Sequence, residues 1–389
     1  MIHDFHKIKI LNCFILILYC IFLFSACTEE NNRVQKISNA TIANTEFEKE
    51  DIMNIEQKTE TEQIIISYEN SNSKIKKLEK DFSYVRFHGD YGFEDFISRG
   101  GAYSDKEVVE FLAERFTGLS NLKSLTGDSF GCSTISATTS SGEKLFGRNF
   151  DWQECDALVV LSYPETGYSS VSTVNMDFIT QNIKGGILGM AFSFDSVKTI
   201  AALYAPLDGM NEAGLAVAVN MIQDSAATKQ KTGKPGLTTT TAVRLLLNKA
   251  ATVEEALNLL ASYDFNSSMG MVVHFAITDK SGRSVAVEYI DQKMNIIETP
   301  ILTNFYLTPG KKYGIGTTQS KERYEILKNA LETNQYIEED KLKTILDSVS
   351  KDNFEEFTST EWSIVFNLSK QKVIYFHREN YKKAYVFRL

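Results

Sequence analysis

The chain has 389 residues, 43% of them apolar, with 25 Phe and 17 Tyr, which is enough for a sizeable core in one large domain or two ordinary ones. Its 41 Lys and Arg stand against 50 Asp and Glu, for a formal net charge of −9. No basic stripe exists to neutralise phosphates, which argues against nucleic acid as a partner.

At the N-terminus, Lys7 and Lys9 precede an apolar run from Ile10 to Phe24 that meets Ser25-Ala26-Cys27. A basic start, an apolar middle and small residues before a cut describe a secretory signal, and the run is short for a spanning helix. A retained membrane anchor is the alternative. Leu23-Phe24-Ser25-Ala26-Cys27 resembles a bacterial lipobox, with Phe24 the less usual residue. That resemblance implies a signal peptide over residues 1–26, lipidation of Cys27, and an exported protein held at the cell membrane or envelope. Cys13 and Cys20 leave with the signal, so of five cysteines only Cys132 and Cys155 stay as thiols. Two are too few for a disulfide scaffold, and Cys155 is expected to be buried and inert.

Residues 27–81 are rich in Glu, Asn, Lys, Thr and Ser and read as a solvated tether, with one short apolar run at 64–68. From Phe82 the character changes. Ser104-Asp105-Lys106-Glu107 is a capping box, Val108, Phe111, Leu112 and Phe116 follow on one helical face, and Gly118 is a stop signal. Residues 82–131 therefore form a folded pro-segment. Beyond Gly131 strands are expected at 133–139 and 144–150, a hairpin turning at Ser140-Ser141-Gly142-Glu143. Others are expected at 157–163, 168–174, 200–205 and 215–221. Helices follow over 242–250 and from the capping box Thr252-Val253-Glu254-Glu255, which carries Val253, Ala256, Leu257 and Leu260 inward. A hairpin of 271–278 and 284–289, helices over 319–332 and 338–348, and strands at 362–368 and 372–376 complete the pattern. Runs of strands broken by helix pairs suggest α+β layers, not alternating βαβ units.

The densest chemical signal is Gly131-Cys132-Ser133-Thr134, followed across the hairpin by Gly147-Arg148-Asn149-Phe150-Asp151-Trp152. The returning strand can bring a guanidinium and a carboxylate to Cys132, and a neighbouring cation favours thiolate. Proton handling is harder to supply. The mature region offers His88, His274 and His377, and His274 lies in an alternating strand where a satisfied core residue is the simpler reading. A cut between Gly131 and Cys132 would place an α-amine, with a pKa of about 8, on the nucleophile's own residue. Phe150, Trp152 and Met221 are candidates for an apolar acyl pocket or for core packing.

The spacing of Cys132, Arg148 and Asp151 resembles that of the choloylglycine hydrolase family. That family includes bile salt hydrolases and penicillin V acylases, with acid ceramidase and N-acylethanolamine acid amidase as relatives. Asp208-Gly209-Met210-Asn211-Glu212-Ala213-Gly214-Leu215 is similar to its Gly-Met-Asn-Glu-x-Gly-Leu segment. Asn220 matches an oxyanion-hole position, Asn304 in Leu302-Thr303-Asn304 a side-chain oxyanion donor, and Arg323 a second site arginine. The resemblance implies a four-layer αββα N-terminal-nucleophile fold over residues 132–389, with Cys132 exposed as nucleophile by cleavage after Gly131. It further implies hydrolysis of a linear amide through a Cys132 thioester, with Asp151 holding the amine, Arg148 and Arg323 setting the field, and no metal or cofactor. The substrate class is a small N-acyl amide, such as a bile salt, penicillin V, an N-acyl amino acid or a fatty amide. Homo-oligomers are compatible with this reading. A leader this long resembles the ceramidase branch, where the cut segment stays with the enzyme. The competing readings are an acyltransferase of the acyl-CoA:6-aminopenicillanic acid type, a thiol peptidase using His274, and a non-catalytic surface lipoprotein.

Overall fold

Strands whose two faces are both apolar must be covered on both sides, and here that requirement yields four layers. The computed structural model describes residues 61–67, 72–117, 131–180, 191–354 and 359–389. The signal segment, Cys27, residues 27–60 and the stop at Gly118 lie outside them. The described chain opens with β1 (Glu62–Ile65), β2 (Lys76–Glu79) and β3 (Phe82–His88), then α1 (Phe93–Ser98) and α2 (Asp105–Thr117). The hairpin β4 (Gly131–Thr138) and β5 (Lys144–Trp152) follows, then β6 (Ala157–Tyr163), β7 (Ser170–Asn175), α3 (Asp177–Thr180) and α4 (Asp195–Leu203). A second hairpin, β8 (Asp208–Asn211) and β9 (Leu215–Ile222), precedes β10 (Gly236–Thr238), α5 (Thr239–Lys249), α6 (Val253–Ala261) and β11 (Asp264–Asn266). Next come β12 (Val272–Asp279), β13 (Ser284–Ile290), β14 (Lys293–Glu298) and the two-residue β15 (Ile301–Leu302). The chain ends with α7 (Thr318–Thr333), α8 (Glu339–Ser348), β16 (Ser359–Asn367), β17 (Lys372–His377) and β18 (Lys383–Arg388).

One sheet has seven strands in the order β1-β18-β17-β16-β5-β4-β15, the other nine in the order β14-β13-β12-β9-β8-β7-β6-β3-β2. Between them lies an apolar layer in which Phe146, Phe150, Trp362, Phe366 and Tyr375 of the smaller sheet meet Ala216, Ala218, Ala276 and Ala286 of the larger. Aromatics opposite alanines let two close sheets interdigitate without voids. The outer face of the larger sheet (Val217, Phe275, Ile277, Val285) packs on Val243, Leu246, Leu257 and Leu260 of α5 and α6. The outer face of the smaller sheet (Ile135, Leu145, Val365) packs on Leu327 of α7 and Leu342, Ile345 and Leu346 of α8. This is the αββα arrangement. Both predicted N-caps form, Glu107 N–H donating to Ser104 Oγ at 3.3 Å and Glu255 N–H to Thr252 Oγ1 at 3.2 Å, but the boxes close one residue early: Glu107 and Glu255 accept from Tyr103 N–H and Ala251 N–H, both at 2.7 Å.

Two expectations need correction. Residues 200–205 are not a strand; Asp195–Leu203 is a helix whose Ala201, Ala202 and Leu203 are buried. A short apolar run has no periodicity to separate the two states, and packing on the larger sheet decides. The tether also ends earlier than residue 81. β1 pairs in parallel with β18, Glu62 opposite Lys383, and β2 pairs with β3, Lys76 opposite Tyr84. Both are edge strands, whose charged, half-exposed sequences resemble solvated chain. The stretch from Phe82 is woven into the fold: β3 pairs in parallel with β6 over its whole length.

Candidate active site

The β4–β5 hairpin sets Gly131 opposite Asp151, Cys132 opposite Phe150 and Thr134 opposite Arg148. Side chains alternate along a strand, so Arg148 and Asp151, three residues apart, point to opposite faces. Arg148 shares the inter-sheet face with Cys132. Asp151 points into the helix layer, beside Gly131. The carboxylate therefore stands by the backbone of the Gly131–Cys132 bond while the guanidinium stands by the thiol.

Arg148 is fully buried. It donates to Asp208 Oδ2 at 3.3 Å, Asn220 Oδ1 at 2.8 Å, Val219 O at 2.8 Å and Asn149 O at 3.0 Å, so it joins the two sheets. Asp208 also accepts from the Trp362 indole at 2.9 Å. Burial pushes the Asp208 carboxyl up, and Arg148 and Trp362 pull it back. Cys132 is 2% exposed. Burial pushes its thiol above the ordinary range, Arg148 opposes that by charge and hydrogen bond, and Asp151 adds to the rise.

β15 pairs with β4, Leu302 opposite Thr134, and the same register carries Asn304 to Cys132. Cys132 N–H donates to Asn304 Oδ1 at 2.7 Å. The same oxygen accepts from Arg323 Nη2 at 2.9 Å, and Asn304 Nδ2 donates to Met221 O at 2.7 Å. Arg323, 1% exposed on α7, also donates to Asp151 Oδ2 at 2.5 Å, and Thr360 Oγ1 donates to Asp151 Oδ1 at 2.7 Å. Asn220 Nδ2 is committed to the carbonyls of Leu302 at 3.1 Å and Thr303 at 3.3 Å. The five other residues singled out in the sequence thus gather around Cys132 from two sides of a sheet, Asn220 by way of Arg148.

His274 is fully buried beside Asn220, its register partner on β9, and both its ring nitrogens are engaged. Its ring nitrogens engage Glu288 at 3.2 Å and the Thr303 carbonyl at 2.7 Å. Glu288 also accepts from Leu307 N–H at 2.7 Å and Thr308 N–H at 2.9 Å, so the pair pins the segment that carries Asn304. Cys155 is 2% exposed, and burial with the Glu361 charge pushes its thiol far up. Phe150 stacks on Trp362 with centroids 4.0 Å apart and belongs to the core. Trp152 meets the half-buried Phe178 edge-on at 5.0 Å.

Sequence reasoning missed Asp208, Thr360 and Lys351. Asp208 opens the Gly-Met-Asn segment, whose own role is structural: Asn211 Nδ2 ties the β8–β9 turn to Leu247 O and Ala250 O. Lys351, 5% exposed, lies against Gly131, and its backbone N–H donates to Thr360 Oγ1 at 2.9 Å. Burial pushes its amine down to about 8; Asp151 pulls it up and Arg323 down.

Residues 132–348, more than half of the chain, match the family of linear amide C-N hydrolases, the choloylglycine hydrolase family, and the chain belongs to it. A bile salt hydrolase/transferase of Clostridium perfringens (strain 13 / Type A) is 28% identical over 183 residues, 44% of this chain and 53% of that protein. A penicillin V acylase of Pectobacterium atrosepticum is 29% identical over 159 residues, 38% of this chain and 41% of that protein. The chain thus spans about half the length of the curated relatives it matches. A crystal structure of a conjugated bile acid hydrolase mutant from Clostridium perfringens is similar at 17% identity and a TM-score of 0.49, covering 66% of this chain and 92% of that one.

Proposed function

We propose that this protein hydrolyses a linear, non-peptide N-acyl amide, with Cys132 as nucleophile after cleavage of the Gly131–Cys132 bond. The observation that carries this reading is the division of labour around one residue. Arg148 serves the thiol from the inter-sheet face, while Asn304 Oδ1, backed by Arg323 and Asp151, accepts from the Cys132 nitrogen at 2.7 Å. The family match opening at residue 132 supports it too.

In the cleaved chain the Cys132 nitrogen is an α-amine, oriented by Asn304. Sγ attacks the substrate carbonyl, the amine takes the thiol proton and returns it to the leaving nitrogen, and water resolves the thioester by the same path. Thiol and base on one residue need no separate docking. One N–H of Asn304 Nδ2 serves Met221, and the second is the donor assigned to the oxyanion, where a single donor is worth about 3 kcal/mol. Asn220 spends both its N–H bonds on carbonyls and is assigned to holding Arg148 and the 302–303 segment. Trp152, Phe178 and Met221 are offered as part of the acyl wall. The pro-segment stays bound after cleavage, because β3 is paired along its length within the larger sheet. Export and a lipid anchor on Cys27 complete the reading, on the strength of the N-terminal sequence.

The test is the processed protein against a panel of bile salts, penicillin V, N-acyl amino acids and fatty amides, with Cys132→Ala as control. Turnover that survives Cys132→Ala would overturn the reading. One relative is named both hydrolase and transferase, so amine acceptors belong in the same assay, where N-acylated acceptor would mark transfer.

A further inference from the structure

The groups described so far serve the thiol or hold the Cys132 nitrogen, and none explains why glycine precedes the nucleophile. Gly131 does not need left-handed backbone; its φ is not positive. Its constraint is space. A Cβ on Gly131 would stand 2.2 Å from Lys351 Cε, 2.8 Å from Lys351 Nζ and 2.7 Å from Asp151 Oδ2. The lysine occupies the volume a side chain would fill, with its amine against the bond to be cut, on the face opposite the Cys132 thiol.

We propose that Lys351 carries the proton in the cleavage at Gly131–Cys132, delivering one to the Cys132 nitrogen and taking up, by way of water, the one that leaves Sγ. This rests on the reading that the chain is cut there. Sγ adds to the Gly131 carbonyl carbon, forming the C–S bond. The C–N bond then breaks, and the nitrogen leaves with a proton as the α-amine. Water hydrolyses the resulting Gly131 thioester, releasing the Gly131 carboxylate and restoring the thiol, so one water is consumed and Lys351 ends as it began.

The groups facing this amine narrow the choice. Asp151 comes from β5, Arg323 from α7 and Cys132 from β4. Asp352 is next in the chain, and Glu379 accepts from the backbone of Asp352 at 3.2 Å and Thr360 at 3.1 Å. Arg323 cannot give up a proton. Asp151 is engaged by Arg323 and Thr360, and Asn304 meets the Cys132 N–H with an acceptor oxygen. Burial brings the amine to about 8, where both its forms are populated near neutral pH.

The full chain made by cell-free synthesis, followed by intact mass at a series of pH values, tests this with Lys351→Gln and Lys351→Arg. Both keep length and a polar end, and circular dichroism checks their fold. Wild-type cleavage is expected to rise about tenfold per pH unit and level off near pH 8. Both variants are expected to be slower by a factor of about 10²–10⁴ and to lose that inflection. Wild-type rate and profile in both variants would overturn the role of Lys351 alone. Restoration by Lys351→Arg would overturn it as well, since a cation that holds its proton would then suffice. A wild-type chain that stays intact at every pH would remove the cleavage reading and this inference together.

Discussion

Removing the guanidinium of Arg148 should unfold the molecule more readily than removing any single apolar side chain around it. In Arg148→Met, fully buried Asp208 keeps the Trp362 N–H at 2.9 Å but loses its cation, and Val219 O and Asn220 Oδ1 each lose a donor. Breaking a buried pair from one side costs about 3–5 kcal/mol, because the surviving charge stays desolvated. Asp208→Leu should cost about the same, from the opposite charge. The double variant leaves neither charge buried and should lose about as much as one single, a coupling of about 3–5 kcal/mol. Urea midpoints by circular dichroism, all in a Cys132→Ala background so that every chain is the same species, give the four corners of the cycle. Losses that simply add would show that Arg148 and Asp208 do not act as a pair, and the argument that they bridge the sheets would fail.

Asn304→Ala in processed enzyme should lower kcat about 10²–10³-fold through the lost donor, with KM little changed, read by steady-state kinetics. A purely KM effect would contradict the oxyanion assignment. His274→Gln loosens the 303–308 segment and should cost about 1–3 kcal/mol of stability and only part of the activity; complete loss of turnover in folded protein would favour a Cys/His dyad. The Lys351 amine is held near 8 in the folded chain but keeps its proton to about 10.4 when unfolded. Between those values the unfolded state binds more protons, so stability should rise with pH from about 8 to about 10. Urea midpoints of Cys132→Ala against Cys132→Ala/Lys351→Gln isolate this term, and parallel curves would contradict it.

The central hairpin was legible because its chemistry is local: alternation, a Ser-Gly turn, and Cys132, Arg148 and Asp151 within one pair of strands. The face of each side chain was legible in principle as well, since a three-residue offset on a strand separates Arg148 from Asp151. What escaped were partners that only long-range topology supplies. Asp208 arrives from the other sheet, and Lys351 from a short 3-10 helix (Lys351–Phe354) between α8 and β16 that carries no motif. A lysine in a polar stretch reads as solvated; its burial comes from the tertiary packing that sets it against Gly131, near Asp151 of β5 and Arg323 of α7. The charged edge strands β1 and β2 were hidden for a related reason, since half-exposed edges share the composition of a tether. Asn220 and Asn304 were found by resemblance, and only the register of β15 on β4 explains why Asn304 meets Cys132.

The account stands or falls on what Cys132 becomes. Full-length protein should be incubated with an N-acyl amide carrying a labelled acyl group, quenched in acid and mapped by mass spectrometry. A fragment beginning at Cys132, bearing the acyl group on Sγ and losing it to hydroxylamine, is the predicted result. Turnover by a chain still joined at Gly131–Cys132, or label on any other residue, would contradict it.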